Sequence, residues 1–321
     1  MISATKTRIA ILGASGIGRV HARIFHEAGV DVCAVLGSSK ESAKNASIKL
    51  KDFYGINSQP YHCLDRLLEE ARPNAVSICT PPQFHFEEII AAFEKQIGVF
   101  CEKPLFWYSD ISNVELEDKL AQIATHPHRQ LWVNTSNAFF AEQINKLVGS
   151  ISKNGALTFC FETQGKNQGR GIGVDLLPHG LSILLELFGD NLISNLREKY
   201  STSGYNCQFN YGEHKVVFNF YENQKSVKKM IIELDSRQFT RCQEGDGAKY
   251  QVFFHDSHTL KKFEVEDPFK VYINRFLNSL RADSLGNDGF KAAAKNLRLM
   301  GKVSEVMLKY FFAFSKFPKF I

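Results

Sequence analysis

Short apolar segments alternate with amphipathic segments through the first 135 residues of the chain. The apolar segments are rich in β-branched residues, and the intervening segments carry apolar residues at helical spacing. This alternation is typical of βαβ units, in which helices cover both faces of a parallel sheet. We therefore predict strands over residues 8–12, 31–36, 75–79, 98–101 and 130–133, and helices over residues 18–27, 40–51, 65–70, 84–95 and 113–124.

The pattern changes after residue 134, where strand-like segments follow one another without intervening helices. This succession indicates a mostly antiparallel sheet. In one segment Val216, Phe218 and Phe220 alternate with Asn219, so one face of the sheet is predicted to pack on helices. The other face would meet solvent or a second subunit, and both remain open. The predicted strands cover residues 156–163, 205–210, 214–221, 227–234, 248–254 and 258–265.

Two more helices are predicted near the end of the chain. One begins at Asp267 and Pro268, because Asp favours the cap of a helix and Pro favours its first position. The last runs from residue 288 to about residue 312 and could pack back on the first domain. The chain is thereby divided into a first domain, residues 1–134, and a second domain, residues 135–321.

The overall composition is that of a soluble globular protein, with 44% hydrophobic and 23% charged residues. The 39 basic and 34 acidic residues give a net charge of +5, but they are scattered along the chain. Binding to a nucleic-acid backbone needs a concentrated basic surface. We therefore expect a small-molecule partner and no nucleic acid.

Membrane insertion and secretion are also not expected. We see no apolar run that approaches the ~20 residues needed to cross a bilayer, and the first strand begins too early for a signal peptide. The aromatic and lysine-rich tail, residues 310–320, is predicted to pack on the protein itself. The seven cysteines show no CxxC pair or regular spacing, so we predict neither a metal site nor a disulfide framework. A reducing, cytoplasmic location is expected.

A glycine-rich turn follows the first predicted strand directly and leads into an amphipathic helix, which is the context of a dinucleotide-binding turn. Its residues are Gly13, Ser15, Gly16, Ile17 and Gly18. In such a turn the backbone N–H groups and the positive end of the helix face a pyrophosphate. Glycine is required where the backbone comes closest to the pyrophosphate. In this chain Ser15 replaces the middle glycine of the motif.

The end of the second predicted strand bears on the choice of dinucleotide. A chain that prefers NAD offers a carboxylate about 20 residues past the last glycine. This chain offers Ser38, Ser39 and Lys40, which would not repel a 2′-phosphate and could hold one. We therefore predict NADP as the preferred cofactor, with NAD as the alternative. Ser39 would also serve as the N-cap of the second helix.

Three further motifs carry reactive side chains. Thr80 and Pro81 are followed by His85 after the third predicted strand, and Glu102 and Lys103 precede a proline after the fourth. We interpret His85 as a wall of the nicotinamide pocket and Glu102 as a residue that holds the lysine loop or contacts the cofactor.

The third motif consists of Asp175 and His179, which would lie on one face of a helix that begins near Asp175. Reduction of a carbonyl group needs a proton on the oxygen, and His179 is a candidate donor because an imidazole titrates near neutral pH. Lys103 would polarise the same oxygen. The structural alternatives are that Asp175 caps the helix and that His179 is a buried structural histidine. The loop from Glu162 to Arg170 would read substrate groups or form a solvated turn, and both remain open.

In this order and at these separations, the motifs resemble the family of glucose-fructose oxidoreductase, inositol dehydrogenase and rhizopine catabolism proteins, abbreviated GFO/IDH/MOCA. Thr80 to His85 looks like the TPxxxH segment of the family, and residues 102–104 look like its EKP motif. Asp175 and His179 look like its paired residues of the second domain. Ser15 is the clearest departure.

The resemblance implies an α/β fold, with an N-terminal Rossmann doubly wound parallel sheet and a C-terminal α+β domain with a mostly antiparallel sheet. It implies transfer of a hydride between nicotinamide C4 and a carbonyl or hydroxyl carbon of a sugar, a sugar derivative or a similar small molecule. Relatives suggest a homodimer or homotetramer through the C-terminal sheet. The implied catalytic residues are Lys103, Asp175 and His179, and the implied cofactor-binding residues are Gly13, Ser15, Gly16, Ile17, Gly18, Ser38, Ser39, Lys40, Thr80, Pro81, His85, Glu102 and Lys103.

Two other functions are compatible with the same motifs. A reductase of a C=N bond or a conjugated system, such as an imine or bilin reductase, needs a similar proton donor. A non-catalytic regulatory protein would use the dinucleotide site as a sensor.

Overall fold

The computed structural model describes residues 6–149, 151–152, 155–225, 227–245, 250–282 and 287–314. The chain divides into two compact units. Unit 1 consists of the described residues of Met1–Asn134 and of Phe269–Ala294, and unit 2 consists of those of Thr135–Pro268 and Lys295–Ile321. Residues 269–294 therefore group with unit 1, although the sequence assigned them to the second domain. The tail at residues 310–320 lies outside the side chains that the structure describes.

Unit 1 is built on a six-stranded parallel sheet. Its strands are β1 (Arg8–Leu12), β2 (Asp31–Leu36), β3 (Gln59–Tyr61), β4 (Ala75–Ile78), β5 (Gly98–Glu102) and β6 (Leu131–Asn134). The strand order is β3-β2-β1-β4-β5-β6, which is the order of the doubly wound dinucleotide-binding fold. The order reverses between β1 and β4, so a ligand crevice is expected at the carboxyl ends of these two strands.

The helices within the first segment of unit 1, which ends at Asn134, connect these strands. They are α1 (Ile17–Glu27), α2 (Lys40–Tyr54), α3 (Leu64–Arg66), which continues as a π-helical turn over Leu67–Ala71, α4 (Pro82–Glu94) and α5 (Asn113–Thr125). All five predicted strands and all five predicted helices of this part are found, with small shifts at their ends. β3 was missed because it is short and its side chains are mostly exposed, so it forms no apolar run.

Unit 2 is built on an eight-stranded sheet and two helices. The helices are α6 (Asn137–Val148) and α7 (Arg170–Phe188). The strands are β7 (Ala156–Thr163), β8 (Ile193–Tyr200), β9 (Gly204–Tyr211), β10 (His214–Glu222), β11 (Lys229–Leu234), β12 (Arg237–Glu244), β13 (Gln251–Asp256) and β14 (Lys262–Val265). The order is β14-β13-β12-β11-β7-β10-β9-β8. Only the β7–β10 pair among the described pairs is parallel, so the mostly antiparallel sheet is confirmed.

One face of this sheet packs on α7, as the alternation in β10 predicts. Val216, Phe218 and Phe220 are buried, whereas Tyr221 is 43% exposed. A Cβ atom on Gly180 of α7 would lie 2.6 Å from the Phe218 ring, so the helix approaches the sheet at a position where only glycine fits. Whether the opposite face meets a second subunit stays a prediction.

The helix that the sequence predicts near Asp175 is present as α7, and it interrupts the succession of strands. This helix begins at Arg170, before Asp175, and contains Pro178 in its interior. Two early glycines and a proline disfavour a helix by propensity, but the apolar residues between Leu176 and Leu184 are buried in the core and stabilise it. β8 and β12 were also missed, because polar residues interrupt their apolar pattern.

Among the described helices, only α7 is long and apolar enough to cross a membrane, with a mean hydropathy of 1.4 over its most apolar window. The sequence prediction had recognised no apolar run of that length. Within the protein 56% of this window is buried, which accounts for its apolar character through packing on the sheet.

Two helices complete the described chain, α8 (Pro268–Arg281) and α9 (Asn287–Phe314). The start of α8 at Pro268 agrees with the sequence prediction. Phe276 of α8 is fully buried, and its ring lies 5.4 Å from the ring of Phe100 and 6.4 Å from that of Phe25. These aromatic contacts with β5 and α1 explain why α8 groups with unit 1.

Candidate functional site

The glycine-rich turn lies between β1 and α1 and packs directly on the segment that follows β4. Gly13 has a φ of +83°, and a Cβ atom there would lie 2.8 Å from the Cys79 carbonyl oxygen. A Cβ atom on Gly18 would lie 2.1 Å from the Gly13 carbonyl oxygen. Both positions require glycine, because a side chain would push the turn away from the sheet. The turn therefore lies at the switch point, where open α/β sheets bind dinucleotides.

The N-terminus of α1 is suited to a phosphate group. Among the described residues, no side chain caps this terminus, where Gly16 precedes Ile17. Ser15 and Gly16 are exposed. Backbone N–H groups that lack a cap and the positive end of the helix dipole attract anions. The residues present therefore fit the pyrophosphate of a dinucleotide.

A basic cleft is lined by the start of α2, by β3 and by the residues that follow β3. Ser39 caps α2, since its hydroxyl accepts a 3.1 Å hydrogen bond from a backbone N–H of the first turn, which confirms the structural interpretation of this residue. The next residue, Lys40, lines a cleft of about 460 Å³ together with Lys44 and Arg66. Glu70 also lines the cleft and accepts two hydrogen bonds from Arg66. The lining therefore keeps a surplus of positive charge.

His85 joins the segments that follow β4 and β5. Its ring is fully buried, with Nε2 2.7 Å from the Thr80 carbonyl oxygen and Nδ1 3.0 Å from the Pro104 carbonyl oxygen. Burial lowers the pKa of His85 below its ordinary value, whereas the two carbonyl oxygens act in the opposite direction. The Thr80 hydroxyl donates to the carboxyl group of Glu88, and burial raises the pKa of Glu88 to about 7. His85 is therefore placed to bridge two segments.

Glu102 is paired with a histidine of α1. The Nε2 atom of His21 lies 2.9 Å from Glu102 Oε1, and the His21 ring is fully buried. Asn134 donates a 2.6 Å hydrogen bond to the same oxygen, and the backbone N–H of Lys103 donates to the other at 3.3 Å. Both carboxylate oxygens of Glu102 thus have partners within unit 1. This geometry supports the interpretation that Glu102 holds the lysine segment in place.

The pairing keeps both groups charged. Burial alone would lower the pKa of His21, but the neighbouring Cys79 and Glu102 raise it to about 10. Burial alone would raise the pKa of Glu102, but His21, Lys103 and Asn134 lower it. Because the folded-state pKa of His21 lies above its ordinary value, the charged pair stabilises the fold at neutral pH. This stabilisation is lost as the pH rises through about 10.

No sequence motif marks His21 as the partner of Glu102. A signal was available, because a glutamate at the end of a buried strand needs a charged or polar partner. The sequence could not identify that partner, since His21 and Glu102 are far apart along the chain. Lys103 itself is half-buried and follows β5 directly.

In unit 2, Asp175 and His179 both lie on α7, at the spacing that places them on one face, and both are half-buried. The ring of His179 packs edge-on against Phe161 of β7, with 5.1 Å between ring centroids. Because α7 begins at Arg170, the alternative that Asp175 caps this helix is wrong.

The loop before α7 is exposed but anchored. The backbone N–H of Asn167 donates a 2.8 Å hydrogen bond to Glu222 Oε2, and its side-chain amide donates a 3.1 Å bond to Oε1. At the end of the loop, Arg170 donates a 3.0 Å bond to Glu198. The sequence did not single out Glu222. That this loop contacts a substrate stays a prediction.

The predicted residues thus fall into two sets. Asp175 and His179 belong to unit 2, and their action on one substrate together with Lys103 stays a prediction. The residues that unit 1 places at the carboxyl edge of its sheet are Gly13, Ser15, Gly16, Ile17, Gly18, Ser38, Ser39, Lys40, Thr80, Pro81, His85, Glu102 and Lys103.

The fold of unit 1 and its glycine turn define a dinucleotide-binding protein of the Rossmann class. Residues 7–135 match the model of an oxidoreductase family with an NAD-binding Rossmann fold, GFO/IDH/MocA. Over these residues the chain resembles the GFO/IDH/MocA oxidoreductases, as the sequence motifs predict.

Two relatives are similar over part of this region. D-glucoside 3-dehydrogenase of Escherichia coli is 30% identical over 105 residues, which are 32% of this chain and 28% of that protein. Myo-inositol 2-dehydrogenase of Thermotoga maritima is 28% identical over 117 residues, which are 36% of this chain and 34% of that protein. The matches span about a third of the length of these relatives.

Solved structures are similar over nearly the whole chain. One is the WlbA dehydrogenase from Thermus thermophilus in complex with NAD and UDP-GlcNAcA, with 14% identity, a TM-score of 0.64 and coverage of 92% of this chain and 94% of that one. Another is the 3-ketoreductase KijD10 from Actinomadura kijaniata in complex with TDP-benzene and NADP, with 16% identity, a TM-score of 0.67 and coverage of 92% and 96%. At these identities the likeness shows the shared two-part fold.

The tight packing of the glycine turn predicts that a larger residue at Gly18 weakens dinucleotide binding. In Gly18→Ala the new methyl group would meet the Gly13 carbonyl oxygen, so the turn must move away from its place. We expect the dissociation constant for NADP to rise at least about tenfold, equivalent to ~1.4 kcal/mol, as measured by isothermal titration calorimetry.

Gly98→Ala is the matched control for this prediction. It also crowds a buried contact, with Leu280, but at the amino end of β5. It should lower the thermal stability and leave the dissociation constant within about twofold of wild type. Equal affinity in Gly18→Ala and wild type would show that the turn does not hold the dinucleotide.

Proposed function

We propose that the protein is an NADP-preferring oxidoreductase that transfers a hydride between nicotinamide C4 and a carbonyl or hydroxyl carbon of a sugar or sugar derivative. The observation that carries this proposal is the geometry of unit 1. The glycine turn, the His85 bridge and the His21–Glu102 pair hold Lys103 at the sheet edge to which the dinucleotide-binding turn belongs. A lysine fixed at this edge is suited to polarise an oxygen next to the reacting carbon.

The names of the relatives support this substrate class. Two of the relatives are dehydrogenases of a glucoside and of myo-inositol, whose rings carry several hydroxyl groups. Removal of hydrogen from such a ring carbon takes a hydride from carbon and a proton from oxygen. The dinucleotide accepts or supplies the hydride. The protein must therefore bind the hydroxyl oxygen and move its proton.

We assign these tasks to Lys103 and His179. The ammonium group of Lys103 stabilises negative charge on the substrate oxygen, and the imidazole of His179 gives or takes the proton. Asp175, one helical turn before His179, orients the imidazole or a substrate hydroxyl. The half-buried position of all three side chains leaves them accessible to a small molecule while limiting their hydration.

The preference for NADP is supported by the basic cleft between the start of α2 and β3. Its lining contains Lys40, Lys44 and Arg66 against Glu70, so its net charge suits a 2′-phosphate. After β2 the chain has no carboxylate at residues 37–40 that would accept hydrogen bonds from an unsubstituted ribose.

The first test of the proposal is turnover. Purified protein mixed with NADPH and a panel of keto-sugars, or with NADP and the corresponding alcohols, should change the absorbance at the nicotinamide band. In Lys103→Ala we expect kcat to fall by about 10²-fold or more, because one polarising group is lost, while the dissociation constant for NADPH stays within about threefold.

Lys51→Ala, an exposed lysine of α2, is the control and should retain full activity. A panel in which only imines or conjugated compounds react would favour the C=N reductase instead. Tight NADPH binding without turnover of any compound would favour the regulatory protein.

The second test concerns the cofactor. We expect Lys40→Ala to weaken NADPH binding about tenfold, the effect of one charge-assisted hydrogen bond, and to leave NADH binding unchanged. Lys49→Ala, an exposed lysine on the same helix that does not line the cleft, should change neither affinity. If Lys40→Ala weakens NADPH and NADH binding equally, the assignment of Lys40 to the 2′-phosphate is wrong.

A further inference from the structure

Glu88 is a buried carboxyl group in unit 1 that no motif of the sequence marks. It lies on the covered face of α4, at helical spacing from His85, Ile89 and Ala92, and is 7% exposed. An apolar residue is expected at such a position, because a carboxyl group is costly to bury without a partner. The partner of Glu88 therefore indicates why a carboxyl group is present there.

That partner is the hydroxyl group of Thr80, in the segment that follows β4. The Thr80 hydroxyl donates a 2.5 Å hydrogen bond to Glu88 Oε2. A hydroxyl group has one proton and two lone pairs, so this bond uses the proton and leaves the Thr80 oxygen able to accept a further bond. Thr80 is half-buried, whereas Glu88 is covered. Glu88 thus fixes the direction of a hydroxyl group that a ligand can reach.

The backbone of Thr80 is held as closely as its hydroxyl group. Its carbonyl oxygen lies 2.7 Å from His85 Nε2, and a Cβ atom on Gly13 would lie 2.9 Å from its backbone nitrogen. Thr80 therefore contacts α4 with its carbonyl group and its side chain, and contacts the glycine-rich turn with its backbone nitrogen. Because the turn and the end of β4 meet at the switch point of the sheet, Thr80 lies where a dinucleotide is expected to bind.

We propose that Glu88 is a positioning residue of the dinucleotide site, which acts through Thr80 by holding the hydroxyl oxygen of Thr80 ready to accept a hydrogen bond from the dinucleotide. The ribose hydroxyl groups of a dinucleotide are donors of this kind. This inference rests on the proposed function, since it needs a dinucleotide at this edge of the sheet. It does not involve the 2′-phosphate, so it concerns NAD and NADP alike.

The first test compares dinucleotide binding by Glu88→Leu, Glu88→Gln and the control Glu87→Gln, which changes an exposed glutamate of the same helix. Leucine offers the Thr80 hydroxyl no partner. Glutamine offers an oxygen that accepts and an N–H that donates, so it replaces the carboxyl group in either protonation state. Both states matter, because burial raises the pKa of Glu88 to about 7. We expect Glu88→Leu to raise the dissociation constants for NADPH and NADH by the same factor, about fivefold, in isothermal titration calorimetry. Both glutamine variants should stay within about twofold of wild type.

A second measurement separates this role from a purely structural one. In thermal unfolding of the dinucleotide-free protein, Glu88→Leu should have a midpoint no lower than that of wild type, because an apolar side chain replaces a buried carboxyl group. The half-buried Thr80 hydroxyl can then bond to water. Affinity should therefore fall without a loss of stability, whereas a residue that only held the fold together would lose both.

Thr80→Val shows whether Glu88 acts through the hydroxyl group. We expect this variant to weaken binding of both dinucleotides about fivefold, and the addition of Glu88→Leu to it should have no further effect. The inference is overturned if Glu88→Leu binds as wild type does, if Glu88→Gln binds as weakly as Glu88→Leu, or if the effects of Glu88→Leu and Thr80→Val multiply. Absence of turnover in wild type together with the expected binding pattern would instead contradict the proposed function and leave the role of Glu88 standing.

Discussion

A buried ion pair between His21 and Glu102 holds the dinucleotide-binding turn and the lysine segment in one arrangement. His21 lies on α1, which begins at the glycine turn, and Glu102 ends β5 immediately before Lys103. Separating two buried charges leaves each without compensation, at a cost of about 3–5 kcal/mol when one partner is removed. The start of α1 and the end of β5 therefore cannot move apart without a large loss of stability. Because Lys103 directly follows β5, this constraint also fixes its position.

Other contacts also hold neighbouring segments in fixed positions. His85 bridges the carbonyl groups that follow β4 and β5, and Gly13 brings the turn against the β4 end so closely that no side chain fits. In unit 2 the buried Glu222 carboxyl group accepts two hydrogen bonds from Asn167. At His85 and Glu222 a polar group that is costly to bury fixes a neighbouring segment, and at Gly13 a close steric fit does so.

The sequence predicts the strands, helices and turns that can be recognised from the residues of one short segment. β1, β2 and β5 are continuous apolar runs because both faces of the parallel sheet are covered, and the glycine turn is recognisable by its place between a strand and a helix. β3, β8 and β12 were missed because they are polar, and α7 begins earlier than predicted because core packing overrides its glycines and Pro178. His21 and Glu222 were missed because each contacts a residue that is distant in sequence. The periodic pattern of apolar residues within one segment gives no information on such a contact.

The most direct test of the central constraint is a double-mutant cycle on the free energy of unfolding, with His21→Gln, Glu102→Gln and the double variant. Each single change leaves a buried group without its charged partner, whereas the double variant leaves two neutral amides that can bond to each other. We expect the double variant to be more stable than the sum of the single effects by about 2 kcal/mol. Single effects that add to within about 0.5 kcal/mol would show that the two residues are not coupled, and the proposed anchoring of Lys103 would be wrong.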